Sequence, residues 1–308
     1  MRERKFVDTS VSRRSPLPIE IQPRYCVNHA TDLTAGCSFA CIYCPFADLN
    51  ARRRGVRRPT AVDLSTLDDH PAPPTLFLSP ASDAFAPQAA DNTHRLLSHL
   101  LPRGTVVGIV TKGIIPDETL SLLAVYREQI EGVAVGVTNL DDERNARLEP
   151  GCPPAALRLR NIDRLVAHGV AVGLRLDPLI PEVDDVPESL ERMADEAARR
   201  GALGITASYV IAWGRSLRRM RREPLLAKAV GWLTEHMPVE GGMAWGVALP
   251  RRRETYSRLA ALTQARGLKF NICGCKNVEL RTSDEFRTSC RNTWFLVDRG
   301  LRASEPEC

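Results

Sequence analysis

Three cysteines, Cys37, Cys41 and Cys44, lie in the run GCSFACIYCPF with the spacing C-x3-C-x2-C. The sequence places Cys37 on a loop after a strand and Cys41 and Cys44 at the start of a helical turn, so three thiolates converge on one volume. Thiolates are the ligands that iron-sulfur clusters take. Three of them leave one iron of a 4Fe-4S cube without a protein ligand, and an open coordination position is what chemistry at a cluster requires. Zinc also takes cysteines, but structural zinc closes on four ligands and no fourth lies nearby. A second group, Cys273, Cys275 and Cys290, occurs in ICGCKNVELRTSDEFRTSC. A C-x-C pair with a third cysteine further on suits another iron-sulfur site, a zinc site or redox thiols. Cys26, Cys152 and Cys308 stand apart.

Other chemistries have little support. The six histidines form no H-x-x-H or H-x3-H pair. No phosphate-binding P-loop or dinucleotide glycine fingerprint occurs, which sets aside kinases and nicotinamide dehydrogenases. Of the 42 basic residues, 37 are arginine, and they concentrate in ARRRGVRRP (51–59) and RSLRRMRRE (215–223). Arginine forks match phosphate geometry, so a phosphorylated small molecule, a nucleotide or a nucleic acid can dock on such runs. Charge runs are also commonly solvated faces.

These residues need a scaffold, and 308 residues suit one large α/β unit with appendages. With 44% hydrophobic and 26% charged residues the chain has material for a core, which excludes collagen-like, coiled-coil and disordered classes. No apolar run approaches the roughly 18 residues of a spanning helix, and the basic N-terminus has no apolar stretch behind it. The expected compartment is therefore the cytoplasm, with no membrane partner, and there nine cysteines point to metal or redox chemistry rather than disulfides.

Apolar segments alternate with helical patterns, the mark of βα units around a parallel sheet. Strands are expected at 32–35, 75–78, 106–110, 133–137, 171–175 and 205–211. Helices are expected at 42–52, 89–101, 117–129, 155–168, 188–200 and 216–236. The predicted organisation is an irregular arm (1–25), a partial barrel (26–240) and a small C-terminal extension (241–308) with a strand at 243–249, a basic helix at 252–266 and a short strand before NICGCKN.

The triplet, with Tyr43 just before its third cysteine, resembles the hallmark of the radical S-adenosylmethionine (SAM) superfamily. The resemblance implies an α/β fold, a partial (β/α)6 barrel. It also implies a 4Fe-4S cluster on Cys37, Cys41 and Cys44 whose open iron chelates SAM, reductive cleavage of the sulfonium, and hydrogen abstraction from substrate by a 5'-deoxyadenosyl radical. A reducing partner such as flavodoxin or ferredoxin is implied with it. The segments FLSPASDAFAPQ (77–88), TKG (111–113) and 143–181 are most similar to the spore photoproduct lyase branch. That similarity implies cofactor-binding roles for Tyr43, Ser82, Asp83, Lys112, Glu149, Arg158 and Arg175, with Ser82 and Asp83 near the SAM methionine amine. Gln88 departs from the glutamate common in the branch, and only Cys152 is available after the fourth strand as a hydrogen-donor thiol. Tyr209, at the end of the sixth strand, is expected at the barrel mouth as a hydrogen or electron relay. The second cysteine group is similar in kind to three-cysteine auxiliary 4Fe-4S clusters. The expected function is radical tailoring of a small, anionic, phosphorylated or nucleotide-like substrate assisted by that cluster. The alternatives are nucleic-acid modification or repair, and a non-catalytic metal protein that binds nucleic acid.

Overall fold

The computed structural model describes residues 17–24, 27–46, 52, 55–69, 71–234, 244–281 and 284–288. Strands β1 (Gln22–Arg24) and β2 (Val27–Thr31) pair antiparallel, and β1 lies in the segment that the sequence reads as an irregular arm. A short antiparallel pair follows, β3 (Thr34–Ala35) with β4 (Thr60–Ala61). The main sheet continues through β5 (Thr75–Leu78), β6 (Val106–Thr111), β7 (Ile130–Gly136), β8 (Val172–Leu179) and β9 (Gly204–Tyr209), each parallel to its predecessor. Between them run α1 (Ala90–Leu100), α2 (Asp117–Val125), α3 (Asp142–Leu148), α4 (Ala155–Ala167) and α5 (Pro187–Arg199). The chain goes on with β10 (Ala212–Trp213), α6 (Gly214–Met220), α7 (Ala227–Thr234), β11 (Ala244–Trp245), α8 (Leu249–Gln264), β12 (Lys269–Ile272) and α9 (Val278–Arg281).

The eight-stranded sheet has the order β1-β2-β5-β6-β7-β8-β9-β12. Its run of sequential parallel neighbours linked by helices is a partial barrel. The reason is written in the strands: every residue of β7 is buried, as expected where both faces of a parallel sheet are covered. Helix α4 buries Ala155, Arg158, Leu159, Ile162 and Leu165 along one stripe and stops where Gly169 takes φ +67°. Among the described residues no helix is long and apolar enough to cross a membrane.

Three expectations are corrected. The first barrel strand is β2 at 27–31, not 32–35; Asn28 and His29 break its apolar signature, and the segment after it turns away to pair with β4. The helix expected over 216–236 is two helices, because Pro224 cannot continue the first. The short strand of the C-terminal segment is β12, which pairs parallel with β9 and so belongs to the main sheet. Most of the expected helix at 42–52 lies outside the described residues.

Candidate functional site

The cysteine loop leaves β3 through Gly36 at φ +84° and turns again at Ala40, a non-glycine residue at φ +50°. Neighbouring backbone holds it in that shape. Gly151 N–H donates to Phe39 O (3.0 Å), Ile42 N–H to Leu148 O (3.0 Å), and Cys44 N–H to Cys41 O (3.1 Å). From α6, Arg219 donates through Nε to Ile42 O (3.0 Å) and through Nη2 to Cys44 O (2.5 Å). Cys37, Cys41 and Cys44 stand on the wall of one cleft of about 470 Å³. Among the described residues no three such side chains close on a single ion. A 4Fe-4S cube places one thiolate on each of three irons and needs no such closure, so the donor set fits it better than a lone metal.

Behind the triplet lies a buried charge network. Tyr43 donates its hydroxyl proton to Glu149, and Lys112 Nζ donates to both Tyr43 and Glu149. Arg158 Nη1 reaches Glu149 Oε2 at 2.6 Å and Gly136 O at 3.1 Å, and its Nε reaches Pro153 O at 2.8 Å. Glu149 and Arg158 are almost fully enclosed, at 2% and 1% exposure. Burial alone would raise the Glu149 carboxyl, but Lys112 and Arg158 bring it down to about 2. Burial alone would lower the Lys112 ammonium, and Glu149 raises it instead. Two cations therefore face one carboxylate beside Cys41. The Cys152 thiol, 3.8 Å from Cys41 Sγ, lowers the Cys41 thiol; burial opposes this and Lys112 assists it. Burial and the Asp83 carboxylate push the Cys37 thiol up.

The loop after β5 supplies the next wall. Ser79 takes φ +56° there, and Ser82 and Asp83 line the cleft. Asp83 accepts from Thr111 Oγ1 (2.6 Å), Lys112 N–H (2.7 Å) and Phe85 N–H (2.9 Å), which ties this loop to the end of β6. Asp32 accepts from Ala81 N–H (2.9 Å) and Ser82 Oγ (2.7 Å), tying it to β2 as well.

At the far side, β8 presents Arg175 and Asp177, which form an ion pair. Asp177 also pairs with Lys276 (2.5 Å) and accepts from Ser208 Oγ (2.9 Å). Burial would raise the Asp177 carboxyl, but Lys276 and Arg175 hold it well below the usual carboxylate range. Cys273 and Cys275 line the same cleft, as do Phe46 and Trp213 near the cysteine loop. Cys290 lies outside the described residues.

Of the residues singled out in the sequence, Cys37, Cys41, Tyr43, Cys44, Ser82, Asp83, Lys112, Arg175, Cys273 and Cys275 thus share one cleft. Glu149, Arg158 and Cys152 stand one layer behind it. Tyr209 is corrected by register: on β9 Ser208 points to Asp177 inside the barrel, so Tyr209 points out. Its hydroxyl donates to Asp185 (2.6 Å) and meets Thr255 (2.7 Å), and its ring packs on Tyr256. Asp32, Asp177 and Lys276 escaped the sequence reading, and Arg219 entered it only as part of the arginine run at 215–223. Asp177 follows Arg175 at the one-in-two spacing of a strand face, a signal that was available; Asp32 and Lys276 carry none.

Comparisons agree with this geometry. The model of the radical SAM superfamily matches residues 31–197. An uncharacterized protein, ORF301, of Acidianus two-tailed virus is 28% identical over 129 residues, 41% of this chain and 42% of the relative. An uncharacterized protein of Mycobacterium tuberculosis (strain ATCC 25618 / H37Rv) is 30% identical over 112 residues, 36% of this chain and 33% of the relative. The chain thus spans less than half the length of these curated relatives. Spore photoproduct lyase complexed with dinucleoside spore photoproduct superposes with a TM-score of 0.59 at 16% identity, over 84% of this chain and 79% of that one. A cysteine-to-serine mutant of the lyase gives 0.57 at 14%, over the same shares. The lyase likeness is one of fold, while the family match covers more than half of the chain and includes the cysteine loop and strands β5 to β8. With a partial barrel opening on three cysteines and a domain match from Thr31 to Ala197, this chain belongs to the radical SAM superfamily.

Proposed function

We propose that the chain uses a 4Fe-4S cluster on Cys37, Cys41 and Cys44 to cleave SAM and act on a small anionic substrate held across the cleft. The observation that carries this reading is the single cleft, with the triplet on one wall and Arg175, Asp177 and Lys276 on the other. When bound, cluster and SAM supply a 5'-deoxyadenosyl radical that abstracts hydrogen. The chain's own residues do the rest. Ser82 and Asp83, tied to two strands, face the methionine end of SAM. Lys112 and Arg158, only partly balanced by Glu149, place a fixed positive charge behind Cys41 that favours its thiolate. Arg175 and Lys276 offer cationic donors to the substrate, and the apolar walls around Phe77, Val110 and Val210 keep water from it.

Cys273, Cys275 and Cys290 are the ligand set of a second 4Fe-4S cluster in this reading. Support comes from the two described members, Cys273 and Cys275, which line the same cleft. Oxidation, carbon-carbon bond formation, epimerisation and sulfur insertion all fit such a site. The decisive measurement is iron and acid-labile sulfide after anaerobic reconstitution, wild type beside a Cys37→Ala/Cys41→Ala/Cys44→Ala variant. About eight irons against about four, with SAM cleavage lost in the variant, is the expected result. About four against none would remove the second cluster, and a variant that still cleaves SAM would remove the first assignment.

A further inference from the structure

The exposed arginines of α6 and the turn after it have no part in the cleft. Arg215, Arg218, Arg221 and Arg222 are exposed, and none of them lines the cavity. No acidic residue occurs from Gly214 to Arg222, and Glu223, the first to follow, is engaged by Arg147. Arg219 alone turns inward, to the carbonyls of Ile42 and Cys44. The outer face of α6 is thus a dense positive surface separated from the cysteine loop by one side chain.

Radical SAM cleavage takes one electron per event, and that electron must arrive while SAM and substrate fill the cleft side of the cluster. We infer that the exposed arginine face of α6 is the docking surface for the electron donor, an acidic flavodoxin- or ferredoxin-type protein. One electron leaves the donor's reduced cofactor, which is oxidised by one electron, and enters the cluster; no proton or group travels with it. Opposite charge on the two surfaces steers the encounter and sets its orientation, an effect that falls with ionic strength. The inference rests on the assignment of the cluster to Cys37, Cys41 and Cys44.

The test compares two electron sources for 5'-deoxyadenosine formation: a flavodoxin reduced by NADPH through its reductase, and sodium dithionite. The variants are Arg215→Glu/Arg218→Glu and the milder Arg215→Gln/Arg218→Gln, with iron content measured in each. The expected result is a loss of about tenfold or more with flavodoxin in the glutamate variant. The glutamine variant should lose less, dithionite rates should stay at wild type, and the wild-type flavodoxin rate should fall as salt rises. Equal rates with flavodoxin in all three proteins overturn the inference. So does a parallel fall with dithionite, which would make the run a support of the loop. A flavodoxin rate that holds while binding of a single-stranded oligonucleotide weakens also overturns it, in favour of nucleic acid. A wild type that fails to cleave SAM even with dithionite overturns the cluster assignment itself.

Discussion

Glu149→Gln is expected to destabilise the folded chain by about 3–5 kcal/mol, because it leaves two buried cations without their carboxylate. Lys112 and Arg158 both point at Glu149, and Arg158 is enclosed with it in the core while Lys112 stands at the cleft wall. The pH dependence carries a sign that a packing defect would not share. The Glu149 carboxyl sits at about 2 in the folded protein against 4.5 for the free group. Its contribution is therefore fully present above about pH 4.5 and is lost as the pH falls towards 2. Two and a half pH units at about 1.4 kcal/mol each is on the order of 3 kcal/mol. Denaturant melts of wild type and variant should keep a constant gap from pH 8 to pH 5, and the gap should narrow below that. Adding Lys112→Met should recover about 0.5–3 kcal/mol of the loss, since one of the stranded charges goes with it. A gap that ignores pH, or a double variant whose losses simply add, would mean that Glu149 fills space and neutralises nothing.

This network also marks how far the sequence could be read. The triplet was legible because its three cysteines sit within eight positions of one loop, where spacing alone brings them together. Lys112, Glu149 and Arg158 were legible as landmarks but not as a unit, since Tyr43 and Glu149 meet across 106 positions. The sequence reading put Glu149 and Arg158 on the cofactor, while the structure sets them behind Tyr43. Arg219 shows the same limit more sharply. It belongs to a charge run that reads as solvated, and only the fold brings it to carbonyls 175 and 177 positions away. The Asp177–Lys276 pair depends on β12 joining β9, so no view that closes the barrel at 240 can find it. Tyr209 failed for a different reason: side chains alternate along a strand, and a shift of one residue exchanges inside for outside.

The loop at 149–152 connects the buried network to the cysteine loop, and Gly151 is its point of contact. A Cβ at Gly151 would stand 2.3 Å from Ser38 O and 2.7 Å from Phe39 Cα. Both are backbone atoms of the cysteine loop, so relief requires that loop to move. Gly151 has no left-handed φ, which means that alanine meets the clash and no conformational strain besides. Gly151→Ala is therefore expected to displace Phe39 and its neighbours by a sizeable fraction of an ångström and to weaken the hydrogen bond that Gly151 N–H gives Phe39 O. Misplacement of reacting groups by about 1 Å costs on the order of 100-fold in rate. The variant should accordingly lose roughly that factor in SAM cleavage with dithionite, and its iron content should fall while the far-ultraviolet circular dichroism holds. Gly214→Ala is the matched control, since its Cβ would find no neighbour closer than 3.9 Å. It should retain both iron and rate. If Gly151→Ala also retains both, the contact at Gly151 does not set the shape of the cysteine loop, which is then held by Arg219, the Ile42–Leu148 bond and the Cys44–Cys41 bond.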